Sequence, residues 1–245
     1  MVYARSTSPE DCLAKETYDL FYNRVFFDPM IKGEFPKKLM DLCKQHAIYF
    51  DPTEEELQII KANPVDFLGI NQYYPKRVQA PKYQWNPNTP FHPEAYFDSF
   101  ELPGRKMNHS RGWEIYPQIM YDLAMYLKDN YGDIPWLITE NGMGSENEEH
   151  YLNSDGTVQD DYRIDFIRNH LYYLLKAVAE GANCEGYMLW AFTDCVSPMN
   201  AFKNRYGLVR IDLQRNRQRS LKKSALWYQS LIDNRGLHVE EMSYR

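Results

Sequence analysis

The 245 residues contain no window of about 18 consecutive apolar residues, so nothing in them reads as a membrane span. Basic tracts are also lacking, and the formal net charge is -6, which argues against nucleic acid as the main partner. Met1 to Glu10 has no basic segment followed by an apolar core, the layout of a secretory signal. Cysteines are few. Cys12, Cys43, Cys184 and Cys195 show no metal-ligand spacing and read as reduced thiols of a cytoplasmic protein, with no metal or organic cofactor implied. There is no internal repeat and no low-complexity linker, so residues 1–245 are expected to form a single domain. With 44% hydrophobic and 25% charged residues, a wholly disordered chain is excluded. What is abundant is aromatic: 20 Tyr, 12 Phe and 5 Trp. Such a load suits a core and equally a surface that stacks on sugar rings, and composition does not choose between them.

Helical patterns alternate with short apolar runs. Ser8 is a good N-cap, Pro9 a good first helical residue, and the helix is expected to reach Phe27 and stop at Asp28-Pro29. Further helices are expected from Pro36 to His46, from a Thr53/Glu56 capping box to Ile60, from Pro117 to Asn130 before Gly132, and from Ser220 to Ile232. The helix expected from Asp160 to Glu180 places Ile164, Ile167, Leu171, Leu174, Leu175 and Val178 on one face. Strands are expected at Val65–Ile70, Trp136–Thr139, Tyr187–Phe192 and Leu208–Ile211. After Ile70 comes a Pro-, Asn- and Tyr-rich stretch of roughly 40 residues, a length that in a compact protein is functional or conceals structure. Buried strands between amphipathic helices mean an α/β protein with a parallel sheet, covered on both faces or closed into a barrel. Three such strands cannot close a barrel.

Four segments carry candidate chemistry. In Ile138-Thr139-Glu140-Asn141-Gly142 an apolar strand delivers a carboxylate at its C-terminal end, where parallel α/β folds hold catalytic groups. Glu140 there can act as nucleophile or base, or simply cap a helix or loop. Asn71 and Tyr73 follow another strand and can hydrogen-bond a carboxylate or a sugar hydroxyl, or pack as strand-end residues. Trp190, at a third strand end, is core or a stacking platform. The Lys203-Asn204-Arg205-Tyr206-Gly207 run binds an anion or is solvated surface.

Taken in order, these segments resemble the C-terminal half of the glycoside hydrolase family 1 β-glycosidases. The resemblance also runs through Val2-Tyr3-Ala4-Arg5-Ser6, Pro9-Glu10-Asp11, Asn23-Arg24 and Lys32-Gly33-Glu34-Phe35-Pro36. It continues in Asp66-Phe67-Leu68-Gly69-Ile70-Asn71, Gly112-Trp113-Glu114-Ile115-Tyr116-Pro117 and Lys222-Lys223-Ser224-Ala225 before Trp227-Tyr228. It implies the C-terminal portion of a (β/α)8 TIM barrel, strands six to eight with their helices, truncated. It implies Glu140 as the nucleophile that forms a glycosyl-enzyme intermediate, and Tyr73 as the residue that orients it. Asn71 and Trp190 then line the non-reducing sugar, and Trp113 lies on the leaving-group side. Retaining hydrolysis needs a second carboxyl about 5–5.5 Å from the first. In the family this is the Glu of an Asn-Glu-Pro motif on the fourth strand, which these residues do not contain. The isolated chain is therefore expected to be inactive, and exposed barrel edges to favour self-association.

Members acting on free glucosides or galactosides carry Glu-Trp where Ser197 and Pro198 stand. Replacing a carboxylate by Ser removes repulsion toward a 6-phosphate and adds a donor. Phospho-β-glycosidases of the family grip the phosphate with Ser, Lys and Tyr. Ser197 and Tyr206 fit, while the Lys aligns with Asn204 and Lys203 is one residue away. The resemblance thus implies a 6-phospho-β-glucosidase acting on a small-molecule β-glycoside. β-Glucosidase or β-galactosidase activity on unphosphorylated sugar and a non-catalytic remnant are the alternatives.

Overall fold

The computed structural model describes residues 1–86 and 88–237. Strand β1 (Val2–Ala4) leads to helix α1 (Pro9–Asp19), whose Ser8 Oγ accepts from the Asp11 amide at 3.2 Å. The helical path does not stop at Asp28-Pro29. It continues through two π-helical turns, Leu20–Arg24 and Asp28–Lys32, and closes at Gly33 with φ 71. Pro29 is tolerated because it sits in the first turn of its segment, where its missing N–H forfeits little. Helices α2 (Lys37–Gln45) and α3 (Glu54–Ala62) follow as the sequence predicts. The capping box is complete: the Glu56 carboxylate accepts from Thr53 N and Oγ1 at 2.8 and 2.9 Å, and Glu56 N donates back at 3.3 Å.

Strand β2 (Leu68–Asn71) starts three residues later than expected, because the Val65 amide donates instead to the Met30 carbonyl at 2.8 Å. The stretch read as loop contains β3 (Lys76–Gln79), β4 (Asp98–Ser99), β5 (Met107–Asn108) and β6 (Trp113–Glu114). These strands are too short and too polar to leave a periodic signal, and they exist through pairing with partners distant in sequence. Then come α4 (Ile119–Tyr131), β7 (Trp136–Asn141), α5 (Asp161–Ala179) and β8 (Cys184–Leu189). The β8 strand lies earlier than Tyr187–Phe192: the chain leaves it at Trp190, and Phe192 is 73% exposed. Strands β9 (Val209–Asp212) and β10 (Gln218–Leu221) form an antiparallel pair, so helix α6 (Lys223–Asp233) starts after the expected Ser220.

Two compact units result: Met1–Phe67 with Pro75–Gly104, and Leu68–Tyr74 with the chain from Arg105 onward. In the first, β1 pairs in parallel with β3, which pairs antiparallel with β4. Val2, Ala14, Val78 and Phe97 form its buried cluster. In the second, β2, β7 and β8 form a parallel sheet in that order. Among the described residues no further strand closes this sheet into a barrel, so the architecture is a partial α/β fold. Trp136 and Ile138 of β7 are buried, as are Ile119, Leu123 and Leu127 of α4 and Ile164, Ile167, Leu171 and Leu174 of α5. Leu175 and Val178, expected on the same face, are 45% and 38% exposed; Phe166 and Ala177 are buried instead.

Candidate active site

The parallel register brings three strand ends together. Asn71 stands opposite Glu140, and Asn141 opposite Leu189, each beside an irregularity in the pairing. Tyr73, two residues past β2, donates its hydroxyl to Glu140 Oε2 at 2.9 Å. Burial pushes the Tyr73 phenol well above its usual range, and the hydrogen bond to Glu140 with that carboxylate's charge push it further the same way. The phenol thus keeps its proton and serves as a fixed donor. Glu140 itself is half-buried.

Asn141, which the sequence marks only as part of a turn, anchors this carboxylate. It is fully buried; its Nδ2 donates to the Gln72 carbonyl at 2.6 Å, and its Oδ1 accepts from the Tyr187 hydroxyl at 2.7 Å. Its carbonyl accepts from the Trp190 amide at 2.8 Å. Asn141 therefore ties the three strand ends together beside Glu140, through its side chain and its carbonyl. The backbone approach that follows requires glycine: a Cβ at Gly142 would lie 1.8 Å from the Trp190 carbonyl oxygen.

Asn71 is exposed, with Oδ1 accepting from Thr139 Oγ1 at 2.6 Å, one residue before Glu140. Trp190 is 38% exposed, so it is neither core nor fully free. Trp113 lies 5.3 Å from the Tyr73 ring and 4.9 Å from the Tyr74 ring, stacked on the latter, with the Arg111 guanidinium 4.4 Å from its centroid. Its indole is thus already engaged by two tyrosines and a cation. The structure brings Asn71, Tyr73, Trp113, Glu140 and Trp190 to one end of the β2–β7–β8 sheet and its adjoining β5–β6 hairpin.

The residues between β8 and β9 behave differently. Ser197 and Ala201 exchange both backbone hydrogen bonds, and Ser197 Oγ accepts from the Met199 amide at 3.2 Å. Lys203 is exposed, and its ammonium lies 3.3 Å from Glu146 Oε1. The same oxygen accepts from Asn204 Nδ2 at 3.3 Å; Asn204 is buried, with its Oδ1 unpartnered. Lys203 and Asn204 are therefore both committed to Glu146. Tyr206 is 6% exposed, and burial raises its phenol, partly offset by the Arg111 charge.

A buried charge network underlies these loops, and sequence patterns gave no hint of it beyond the Lys222-Lys223-Ser224-Ala225 motif. Lys222 Nζ donates to Glu148 at 2.5 Å and to Asp194 at 2.9 Å. Arg163 pairs with Glu148 and, at 2.8 Å, with Asp160; Ser224 donates to Asp160 from both N (2.8 Å) and Oγ (2.5 Å). Burial and then the Arg163 charge lower the Lys222 pKa, against the pull of the carboxylates. Asp194 in turn accepts from the Gly207 amide at 3.0 Å, fixing the segment next to Tyr206. All four cysteines are free thiols. Among the described residues no group of three or more His, Cys, Asp or Glu side chains is placed to hold a metal ion, and no helix is long and apolar enough to cross a membrane.

The model of glycosyl hydrolase family 1 matches residues 1–237. The chain belongs to this family. A 6-phospho-β-glucosidase of Bacillus subtilis, GmuD, is 49% identical over 234 residues, which are 96% of this chain and 50% of that protein. A 6-phospho-β-galactosidase of Leptotrichia buccalis is 34% identical, covering 93% of this chain and 51% of its own length. Among solved structures, a family 1 β-glucosidase from Thermotoga maritima superposes with a TM-score of 0.81 at 26% identity, covering 97% of this chain and 49% of that one. The chain thus spans about half the length of the family 1 relatives it matches, and its open three-stranded sheet is part of their barrel fold.

Proposed function

We propose that this chain carries the nucleophile-bearing part of a retaining 6-phospho-β-glucosidase of the cytoplasm. The observation that carries the glycosidase chemistry is the 2.9 Å hydrogen bond from Tyr73 to Glu140 at the sheet's C-terminal end. A phenol that keeps its proton fixes one carboxylate oxygen and leaves the second to face the substrate. In the first step Glu140 attacks the anomeric carbon, the glycosidic C–O bond breaks, and the leaving oxygen takes a proton from a second carboxylic acid. In the second, that carboxylate deprotonates water, which displaces Glu140. These 245 residues contain no Asn-Glu-Pro, the motif that supplies the second carboxyl in the family. Hydrolysis of an unactivated glycoside by these residues alone is therefore not expected.

Two observations favour a phosphorylated sugar. Ser197 stands where members acting on free sugars hold a carboxylate, and two relatives are named for 6-phospho-β-glycosides. Asn71 and Trp190 would line the sugar, Trp113 the leaving group, and Ser197, Lys203 and Tyr206 are the candidate phosphate contacts. Pro198, in place of Trp, favours the gluco configuration. One observation supports the second reading, a β-glucosidase of free sugars: Lys203 is occupied by Glu146.

Dinitrophenyl β-glucoside and its 6-phosphate separate the two, because dinitrophenolate leaves without protonation and needs no acid carboxyl. The 6-phosphate is expected to release a burst of dinitrophenolate that Glu140→Gln abolishes. An equal or larger burst from the unphosphorylated compound would reject the phosphosugar assignment.

A further inference from the structure

A dianionic phosphate requires a cation free to meet it, and Lys203 is held by Glu146 at 3.3 Å. A second cation in the same unit has no such engagement. Among the described residues, Arg111 makes no side-chain hydrogen bond or ion pair: its guanidinium rests on the Trp113 ring, and its Nε is buried without an acceptor. Guanidinium groups carry five donors, and leaving a buried one unmet is costly, so such an arginine is prepared for an incoming acceptor.

Four loop contacts bring Arg111 toward Tyr206. Asn108 Nδ2 donates to the Gly144 carbonyl at 3.0 Å, and the Glu146 amide donates to Ser110 Oγ at 3.1 Å. On its other side Gly144 meets the Tyr206 ring, where a Cβ would lie 2.5 Å from two ring carbons. Ser145 and Arg205 pair through both backbone hydrogen bonds, at 3.0 and 2.8 Å. Residues 108–111, 144–146 and 205–206 therefore form one packed group. Within it, the Tyr206 hydroxyl makes no hydrogen bond among the described residues, and the Arg111 charge acts on it. Trp113 connects Arg111 to Tyr73 and so to Glu140.

We propose that Arg111, together with the Tyr206 hydroxyl, is the phosphate-reading pair of this site and determines its preference for a 6-phosphorylated sugar. This rests on the phosphosugar assignment. The chemistry suits it: guanidinium and phosphate form parallel charge-assisted hydrogen bonds that an ammonium cannot reproduce, and stacking on Trp113 holds the guanidinium plane fixed. Lys203 then serves to hold Glu146 and its loop.

Calorimetric titration of the 245-residue chain with glucose 6-phosphate and with glucose tests this directly. The readout is the ratio of the two dissociation constants, with the melting temperature of each variant confirming the fold. The native chain is expected to prefer the phosphate ester. Arg111→Gln is expected to reduce that preference at least about tenfold, the worth of one charge-assisted pair, and Arg111→Lys to restore only part of it. If the native chain prefers the phosphate and Arg111→Gln keeps the preference while Lys203→Ala loses it, the assignment to Arg111 is overturned and the phosphosugar reading stands. Absence of any preference in the native chain would overturn both.

Discussion

A phenol buried beside a carboxylate has one favourable arrangement, in which it keeps its proton and donates. Tyr73 and Glu140 adopt it at 2.9 Å. Removing the hydroxyl in Tyr73→Phe takes away a hydrogen bond to a charged acceptor, worth about 1.5–3 kcal/mol, so the dinitrophenolate burst rate is expected to fall about 10- to 100-fold. Stopped-flow absorbance checks this; an unchanged rate would remove Tyr73 from the machinery. Asn141→Ala should be costly in another way, since it leaves the buried Tyr187 hydroxyl and Gln72 carbonyl without their partner. A loss of about 2–4 kcal/mol in unfolding free energy is expected, measured by denaturant titration. The contact between Tyr73 and Glu140 was legible in the sequence because each stands in a local motif at a strand end and the pairing is a matter of residue type. The surroundings of Asn141 and Arg111 were not, because they depend on which distant groups these side chains meet or fail to meet. An asparagine before glycine reads as a turn wherever it stands.

Between these residues and the fold lie the elements that hold the loops. The segment between β8 and β9 is secured through Asp194, which meets Lys222 at 2.9 Å, and Lys222 also meets Glu148 in the segment after β7. Lys222→Met would take from Asp194 its nearest cation and leave Glu148 with Arg163 alone. Its expected cost is about 3–5 kcal/mol, visible in the same denaturant titration, with Tyr206 and Ser197 displaced as a consequence. Helix α5 carries a pH dependence of its own. His170 is fully buried, with Nδ1 on the Phe166 carbonyl at 2.7 Å and Nε2 unpartnered, and burial lowers its pKa to about 4 from 6.5. Below pH 6.5 the unfolded chain takes a proton that the folded one refuses. Stability contributed by His170 staying neutral is therefore lost as pH falls from about 6.5 toward 4, at about 1.4 kcal/mol per unit. His170→Leu should flatten that part of the melting-temperature profile; an unchanged slope would contradict it. Helix ends were readable at this scale wherever a cap had a chemical signature, as at Ser8, Thr53 and Gly132. Where a boundary depends on tertiary pairing, as for β3 and β10, the sequence was silent.

At the scale of the molecule, the parallel β2–β7–β8 sheet explains why apolar runs alternating with helices pointed to an α/β protein, which the resemblance to family 1 made part of a barrel. Family membership and the half-length match to its relatives agree with that. The β8 side also exposes Met188, Phe192, Leu221 and Ile232, which border an apolar cavity of about 380 Å3 together with Tyr187 and Tyr228. A sheet edge beside exposed apolar side chains promotes association, so sedimentation velocity of the 245-residue chain is expected to show concentration-dependent oligomers. A single monomeric species across the range would contradict this. The most direct test of the central assignment is covalent trapping. A fluorinated 6-phosphoglucoside with dinitrophenolate as leaving group forms a slowly hydrolysed glycosyl ester without an acid carboxyl, and peptide mass mapping locates it. The label is expected on Glu140, with the unphosphorylated reagent leaving the chain unmodified. A label on any other residue, or equal labelling by the unphosphorylated reagent, would contradict it.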